Sequence, residues 1–116
     1  MNVGDIFKSE YMVDEKVFSI FRDTFKDYNP LHTNDDHAKK NGFRSKIMYG
    51  NILNGYISHF IGELIPLKEV VIVTQSINFK KPFYLNDRIF LSALIGASAT
   101  TPTIKKSPNS FALFKK

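Results

Sequence analysis

A carboxylate and an imidazole stand close together in residues 27–32, which read DYNPLH. Asp27 and His32 are five residues apart, and Pro30 between them keeps Asn29 out of helical backbone conformation, so the segment is a constrained loop. A loop bent in this way can aim both side chains at one water molecule and can support general acid–base chemistry. An Asp-x-Asn-Pro segment is also a common turn. The residue types alone therefore leave catalysis and simple turn formation both open.

Gly50 is the second candidate, because it stands at the start of the strongest helix pattern in the chain. The pattern predicts a helix from Gly50 to Leu64 that ends before Pro66. A first-turn N–H has no partner within its helix and lies at the positive end of the helix dipole. Glycine also lets a ligand approach the backbone closely. Gly50 could therefore hold a developing negative charge, or it could be a simple helix-start glycine.

Two shorter helices are predicted on either side of the loop. Asp14 has the features of an N-cap for a helix that ends near Phe25. Thr33 and Asp36 have the spacing of a capping box, which predicts a short helix over Asn34–Lys40.

Strand patterns occupy the rest of the chain. We expect an edge strand within Val3–Val13, longer strands over Val70–Phe79 and Arg88–Ile95, and a short one over Phe111–Phe114. One long helix followed by long strands predicts an α+β fold with a sheet packed on a central helix. The pattern does not choose between the folds of that class.

Net charge does not indicate a nucleic-acid partner. The formal charge is +5, but residues 1–90 carry 12 basic and 11 acidic residues, and the remaining four lysines stand in the tail after residue 90. Binding to phosphates requires basic residues clustered on a folded surface. We therefore expect no nucleic-acid partner.

The sequence also lacks the features of disulfide-bonded, secreted and membrane-spanning proteins. The 116 residues contain no cysteine, so disulfides and thiolate metal sites are excluded. The N-terminus has no apolar signal-peptide core, and no apolar run is long enough to cross a membrane. The expectation is a single domain over residues 1–116, soluble and cytoplasmic, without a membrane partner.

Residues 27–32 carry the most specific family resemblance, since they resemble the D-x-N-P-L-H signature of MaoC-like (R)-specific enoyl hydratases. Residues 47–53 (IMYGNIL) resemble the family's apolar-H-G-M-L stretch, and Ser58 follows the glycine by eight residues, where the family commonly has a serine. Residues 79–83 and 85–87 resemble its F-x-x-P-V segment and following turn. The resemblance covers about residues 4–90.

The sequence departs from the family at several positions. Lys26 stands for a glycine, Tyr49 for a histidine and Asn86 for another glycine. The family has two more long strands after this region, whereas here residues 100–102 (TTP) and 107–109 (SPN) interrupt the tail. These interruptions leave open whether the sheet is complete at the C-terminus.

The resemblance implies a hot-dog fold, in which an antiparallel sheet wraps a long central helix. It also implies (R)-specific hydration of 2-enoyl thioesters, or the reverse dehydration of 3-hydroxyacyl thioesters. Asp27 and His32 would activate water, and the Gly50 backbone N–H would polarise the thioester carbonyl. Asn29 would hold the catalytic loop, and Ser58 would support the site from the central helix.

The resemblance further implies a homodimer and no metal or cofactor, with the substrate carried as a coenzyme A or acyl carrier protein thioester. Acyl carrier protein is then a candidate partner. Two alternatives stay open. A hot-dog thioesterase would direct water at the carbonyl carbon, and a non-catalytic acyl-binding or dimerisation module would perform no chemistry. The departures at Lys26 and Tyr49 and the altered tail favour the second of these alternatives.

Overall fold

The computed structural model describes residues 2–66, 68–72, 74–96, 103–106 and 110–113, which contain four strands and four α-helices. The fold divides into two compact units. The first comprises Met1–Tyr11, Gly55–Lys81 and Ile89–Lys116, and the second comprises Met12–Asn54 and Pro82–Arg88. Whether the whole chain behaves as one domain stays a prediction.

A four-stranded sheet belongs largely to the first unit. Its strands are β1 (Ile6–Met12), β2 (Arg88–Leu94), β3 (Thr103–Lys106) and β4 (Ser110–Leu113), in the spatial order β1-β2-β3-β4. β2 pairs with β3, and β3 with β4, in antiparallel register. β1 therefore lies at an edge, as its sequence predicted.

The core of this unit lies between the sheet and the central helix. Residues in β1 and β2 alternate between exposed and more buried positions, as expected for strands with one face on a core. Central helix α4 (Ile52–His59) continues into a π-helical segment, Phe60–Leu64. Together they pack on the buried sheet face, through a cluster of residues Ile57, Phe60, Ile61, Ile65, Leu91 and Ala93. The predicted packing of a sheet on a central helix is confirmed.

The second unit carries three helices: α1 (Glu15–Phe25), α2 (Pro30–Thr33) and α3 (Asp35–Lys40). The prediction for α1 is confirmed at both ends, because Asp14 accepts the Val17 N–H at 2.9 Å and the helix ends at Phe25. The capping-box prediction for α3 is wrong. Asn34 caps that helix by accepting the His37 N–H, and Thr33 belongs to α2.

The predicted strand over Val70–Phe79 does not form. In the described residues of this range the only strand-like feature is an isolated β-bridge at Ile77. Val71 is 70% exposed and Ile72 38%, so the apolar run is not buried on both faces as its sequence suggested. Strand propensity depends on the partner strands that bury a segment, and an apolar run does not specify them.

The tail contains two strands, β3 and β4, although each is only four residues long. β4 confirms the short strand predicted near its position. β3 was not predicted. The interruptions at residues 100–102 and 107–109 lie outside the described residues.

The Asp14 cap offers a simple stability test. Asp14→Ala removes the acceptor for the Val17 N–H, and we expect a loss of about 1 kcal/mol in the free energy of unfolding. Urea unfolding at neutral pH measures it. Asp23→Ala, near the other end of α1 in an exposed ion pair, is the control and should change the value by less than half as much. Equal losses would contradict the assignment of Asp14 as the cap.

Candidate active site

The loop that carries the candidate pair is ordered by its own side chains. The Asn29 N–H donates to Asp27 Oδ1 at 3.1 Å, and the Leu31 N–H donates to Asn29 Oδ1 at 3.0 Å. Asn29 is therefore the N-cap of α2, and Pro30 occupies the first helical position, where no N–H is needed. The His32 N–H closes the turn on the Asn29 carbonyl at 2.8 Å. The Asn29 side chain thus makes a hydrogen bond within the loop, and its role in a catalytic site stays a prediction.

Lys26 and Asn86, which stand where the family pattern has glycine, both adopt the positive φ that glycine favours. Lys26 ends α1 with φ of 58°, and Asn86 has φ of 65° in the turn before β2. Glycine adopts positive φ without cost, and asparagine tolerates it better than most residues. The Lys26 N–H still caps α1 by donating to the Arg22 carbonyl at 2.7 Å. The loop therefore leaves α1 in the left-handed conformation although the glycine is missing.

The imidazole of His32 is held at one of its two ring nitrogens. Its Nδ1 lies 2.8 Å from the backbone carbonyl oxygen of Ile47, in a part-buried position. A carbonyl oxygen only accepts hydrogen bonds, so Nδ1 carries the proton in the neutral ring. Nε2 then keeps its lone pair and can accept a proton. A histidine that acts as a general base needs such a lone pair.

Tyr49 contacts both members of the pair. Its hydroxyl donates to the backbone carbonyl of Asp27, and its ring lies against the His32 ring with centroids 4.4 Å apart. Phe18 and Phe21 pack on the same tyrosine, which is only 3% exposed. Among the described residues no hydrogen bond joins the Asp27 carboxylate directly to His32. Asp27 and His32 thus share Tyr49 as a neighbour without a direct hydrogen bond between their side chains in that part of the chain.

Gly50 directly follows Tyr49, in the turn that precedes α4. The helix begins two residues later than predicted, at Ile52, and its entry is a tight turn in which the Leu53 N–H donates to the Gly50 carbonyl at 3.0 Å. No acceptor for the Gly50 N–H occurs among the described residues. Gly50 stands just before the helix and not in its first turn, and its role as an N–H donor to a substrate stays a prediction.

Ser58 belongs to a different compact unit from the other candidate residues. Asp27, Asn29, His32 and Gly50 all belong to the second unit, whereas Ser58 belongs to the first. It is an exposed residue of α4. Its supporting role stays a prediction.

Sequence reasoning missed Tyr49, which it noted only as a departure from the family pattern. The contact between the Tyr49 hydroxyl and Asp27 spans 22 residues of sequence, and no local pattern specifies it. A buried tyrosine does require a hydrogen-bond partner for its hydroxyl. The position of Tyr49 directly before Gly50 was the one available signal.

Tyr49 should make the free energy of unfolding depend on pH in the alkaline range. Burial, and next the negative charge of Asp27, raise the pKa of Tyr49 above its ordinary value of 10.0. The folded chain therefore holds this proton more tightly than the unfolded chain, and its stabilising effect is lost as pH rises from 10 through the raised pKa. The stability advantage of the wild type over Tyr49→Phe, measured by urea unfolding, should shrink above pH 10. A constant or growing advantage would contradict this linkage.

The described part of the chain holds neither a cluster of metal-binding side chains nor a helix that could span a membrane. There, no three His, Asp or Glu side chains lie close enough together to hold a metal ion. No helix formed by the same residues has the length and apolar character needed to cross a membrane.

Comparison with known proteins identifies related sequences. The chain is 27% identical over 106 residues to the mitochondrial 3-hydroxyacyl-[acyl-carrier-protein] dehydratase of Arabidopsis thaliana, covering 91% of this chain and 61% of that protein. It is 31% identical over 77 residues to the (R)-specific enoyl-CoA hydratase of Rhodospirillum rubrum, covering 66% of this chain and 54% of that protein. The chain thus spans about half to three fifths of the length of these relatives.

Solved structures show the same fold. The (R)-hydratase from A. caviae involved in PHA biosynthesis superimposes with a TM-score of 0.84 at 20% identity, covering 98% of this chain and 94% of that one. R-hydratase PhaJ1 from Pseudomonas aeruginosa gives 0.82 at 17% identity, with 99% and 80% covered. These likenesses confirm the hot-dog fold. The model of the MaoC like domain matches residues 5–107, and the chain therefore belongs to the MaoC-like family.

Proposed function

We propose that this protein catalyses (R)-specific hydration of 2-enoyl thioesters, or the reverse dehydration of 3-hydroxyacyl thioesters. Asp27 and His32 activate the water, and the Gly50 N–H polarises the thioester carbonyl. The observation that carries the proposal is the His32 tautomer, which the Ile47 carbonyl fixes with a proton acceptor at Nε2. The names of the relatives from Arabidopsis thaliana and Rhodospirillum rubrum support the same reaction type.

The proposed reaction is a proton transfer in two stages. His32 Nε2 and Asp27 take a proton from water as its oxygen bonds to the β-carbon of the enoyl group, and the site returns a proton to the α-carbon. Negative charge develops meanwhile on the thioester oxygen, where a backbone N–H donor lowers the barrier most effectively. Gly50 offers such a donor without a side chain to obstruct the approach. The chemistry is acid–base throughout and requires neither a metal nor a redox cofactor.

Two carriers of the acyl group are candidates, acyl carrier protein and coenzyme A. One relative is named for acyl carrier protein and another for coenzyme A, so both thioesters are candidate substrates. Acyl carrier protein remains a candidate partner on the same basis. Measuring turnover of one enoyl group on each carrier distinguishes the two. The cytoplasmic location stays a prediction.

We also propose a homodimer. β1 stands at the end of the four-stranded sheet formed by the described residues, where a second copy of the chain can cover it. Its outward residues Ile6 and Met12 are 58% and 45% exposed, which leaves apolar surface near that edge. Light scattering on the purified protein should give a mass twice that of the 13.3 kDa chain. A stable monomer at micromolar concentration would contradict this proposal.

Three assays separate the proposed reaction from the alternatives. A hydratase removes the ultraviolet absorbance of crotonyl-CoA without releasing thiol, because water adds to the double bond. A thioesterase releases free thiol from a saturated acyl-CoA. A non-catalytic module binds acyl-CoA and changes neither signal. We expect the first result, and either of the other two would overturn the proposed function.

A further inference from the structure

Tyr49 links the three groups of the candidate site. It contacts Asp27 through a hydrogen bond and His32 through its ring, and it directly precedes Gly50 in the chain. No other aromatic ring contact recorded within the described residues involves His32. A displacement of the Tyr49 side chain would therefore move two things at once: the imidazole of His32 and the loop that carries the Asp27 carboxylate.

The hydroxyl of Tyr49 anchors the loop at its first catalytic residue. Because Tyr49 is buried, its hydroxyl needs an internal acceptor, and the Asp27 carbonyl provides one. Asp27 itself is exposed, and among the described residues its carboxylate accepts one hydrogen bond, from the Asn29 N–H. The tyrosine therefore ties an exposed loop to the buried part of the unit.

The ring of Tyr49 sets the position of the imidazole. Within the described residues the His32 ring makes one hydrogen bond, from Nδ1 to the Ile47 carbonyl, and that bond alone permits rotation of the ring plane about the Nδ1–O line. The tyrosine ring, at a centroid distance of 4.4 Å and an interplanar angle of 34°, restricts that rotation. Phe18 and Phe21 in turn hold the tyrosine from α1.

We propose that Tyr49 is a positioning residue for the hydration reaction, in which its hydroxyl places Asp27 and its ring places His32. This inference rests on the proposed function of Asp27 and His32. The phenol acts in its neutral form as a donor to a carbonyl and takes no part in proton transfer. An ordinary phenol is already neutral at neutral pH, and burial raises the pKa of Tyr49 further. Small displacements of catalytic groups lower turnover more than they lower substrate binding.

Tyr49→Phe tests the hydroxyl alone, because phenylalanine keeps the ring that packs on His32. We expect kcat for crotonyl-CoA hydration to fall about tenfold and KM to change by less than about twofold. Tyr84→Phe is the matched control. It also removes a tyrosine hydroxyl with one hydrogen bond, from the Arg44 N–H at 3.3 Å, in the same unit. Tyr84→Phe should keep kcat within about twofold of the wild type.

Tyr49→Leu tests the ring through a readout that does not depend on activity. The ring-proton signals of His32 in an NMR spectrum are identified by their loss in His32→Ala. They should keep their positions in Tyr49→Phe and move in Tyr49→Leu, because only the second change removes the neighbouring ring. Circular dichroism verifies that each variant is folded.

The outcomes separate this inference from the proposed function. An active wild type with Tyr49→Phe at full kcat, or unmoved His32 signals in folded Tyr49→Leu, would overturn the positioning role and leave the reaction intact. A wild type that hydrates neither coenzyme A nor carrier-protein enoyl thioesters would overturn the proposed function, and this inference with it.

Discussion

Replacing Asp27 by asparagine should lower kcat for crotonyl-CoA hydration by about 10²–10⁴, the usual contribution of a general acid–base group. The asparagine side chain keeps an oxygen that can accept the Asn29 N–H, so the loop should keep its shape. The variant should therefore retain its circular dichroism spectrum and its thermal unfolding midpoint. Initial rates of absorbance loss at saturating substrate measure the effect.

Asp36→Asn is the matched control for this prediction. Asp36 is also an exposed aspartate of the second unit, but it lies in the first turn of α3 and has no role in the proposed site. We expect its kcat to equal that of the wild type within about twofold, with a small stability loss from the helix dipole. If Asp27→Asn and Asp36→Asn had the same activity, the carboxylate would have no catalytic role.

The second large effect concerns the core of the sheet-bearing unit. Phe60 is 0% exposed and packs in the cluster between the central helix and the sheet. Phe60→Ala removes a buried ring and leaves a cavity, and we expect a loss of about 3–5 kcal/mol in the free energy of unfolding. Urea unfolding followed by circular dichroism measures the loss.

Phe90→Ala is the control for that measurement. Phe90 belongs to the same unit but is 53% exposed on β2, so truncating it should cost less than half as much as truncating Phe60. Comparable losses for the two variants would mean that the cluster around Phe60 does not form the core. A Phe60→Ala variant too unstable to purify would agree with the larger effect, provided that Phe90→Ala folds normally.

Sequence patterns predicted the elements whose signals are local. Asp14 marks the start of α1 because an aspartate side chain can reach the N–H groups of the first turn. The alternation in β2 marks a strand with one buried face. The loop at residues 27–32 follows from Pro30 and from the side-chain hydrogen bonds of Asp27 and Asn29, all of which join near neighbours.

The features that sequence patterns missed depend on partners far along the chain. The apolar run at Val70 looked like a strand, but nothing in the run specifies which strand would pair with it. The tyrosine at position 49 looked like a departure from a family pattern, although its hydroxyl reaches Asp27 across 22 residues. Thr33 and Asn34 are both residue types that favour the N-cap position. Thr33 is the last residue of α2, so Asn34 caps α3.

Hydration of crotonyl-CoA by the wild type, with chiral analysis of the product, tests the central claim most directly. Asp27→Asn and His32→Ala accompany it, with His37→Ala as the control for an exposed histidine of α3. The account predicts (R)-3-hydroxybutyryl-CoA from the wild type and from His37→Ala, and a large loss of rate in the other two. A wild type that forms the (S) product, or full activity in Asp27→Asn or His32→Ala, would contradict it.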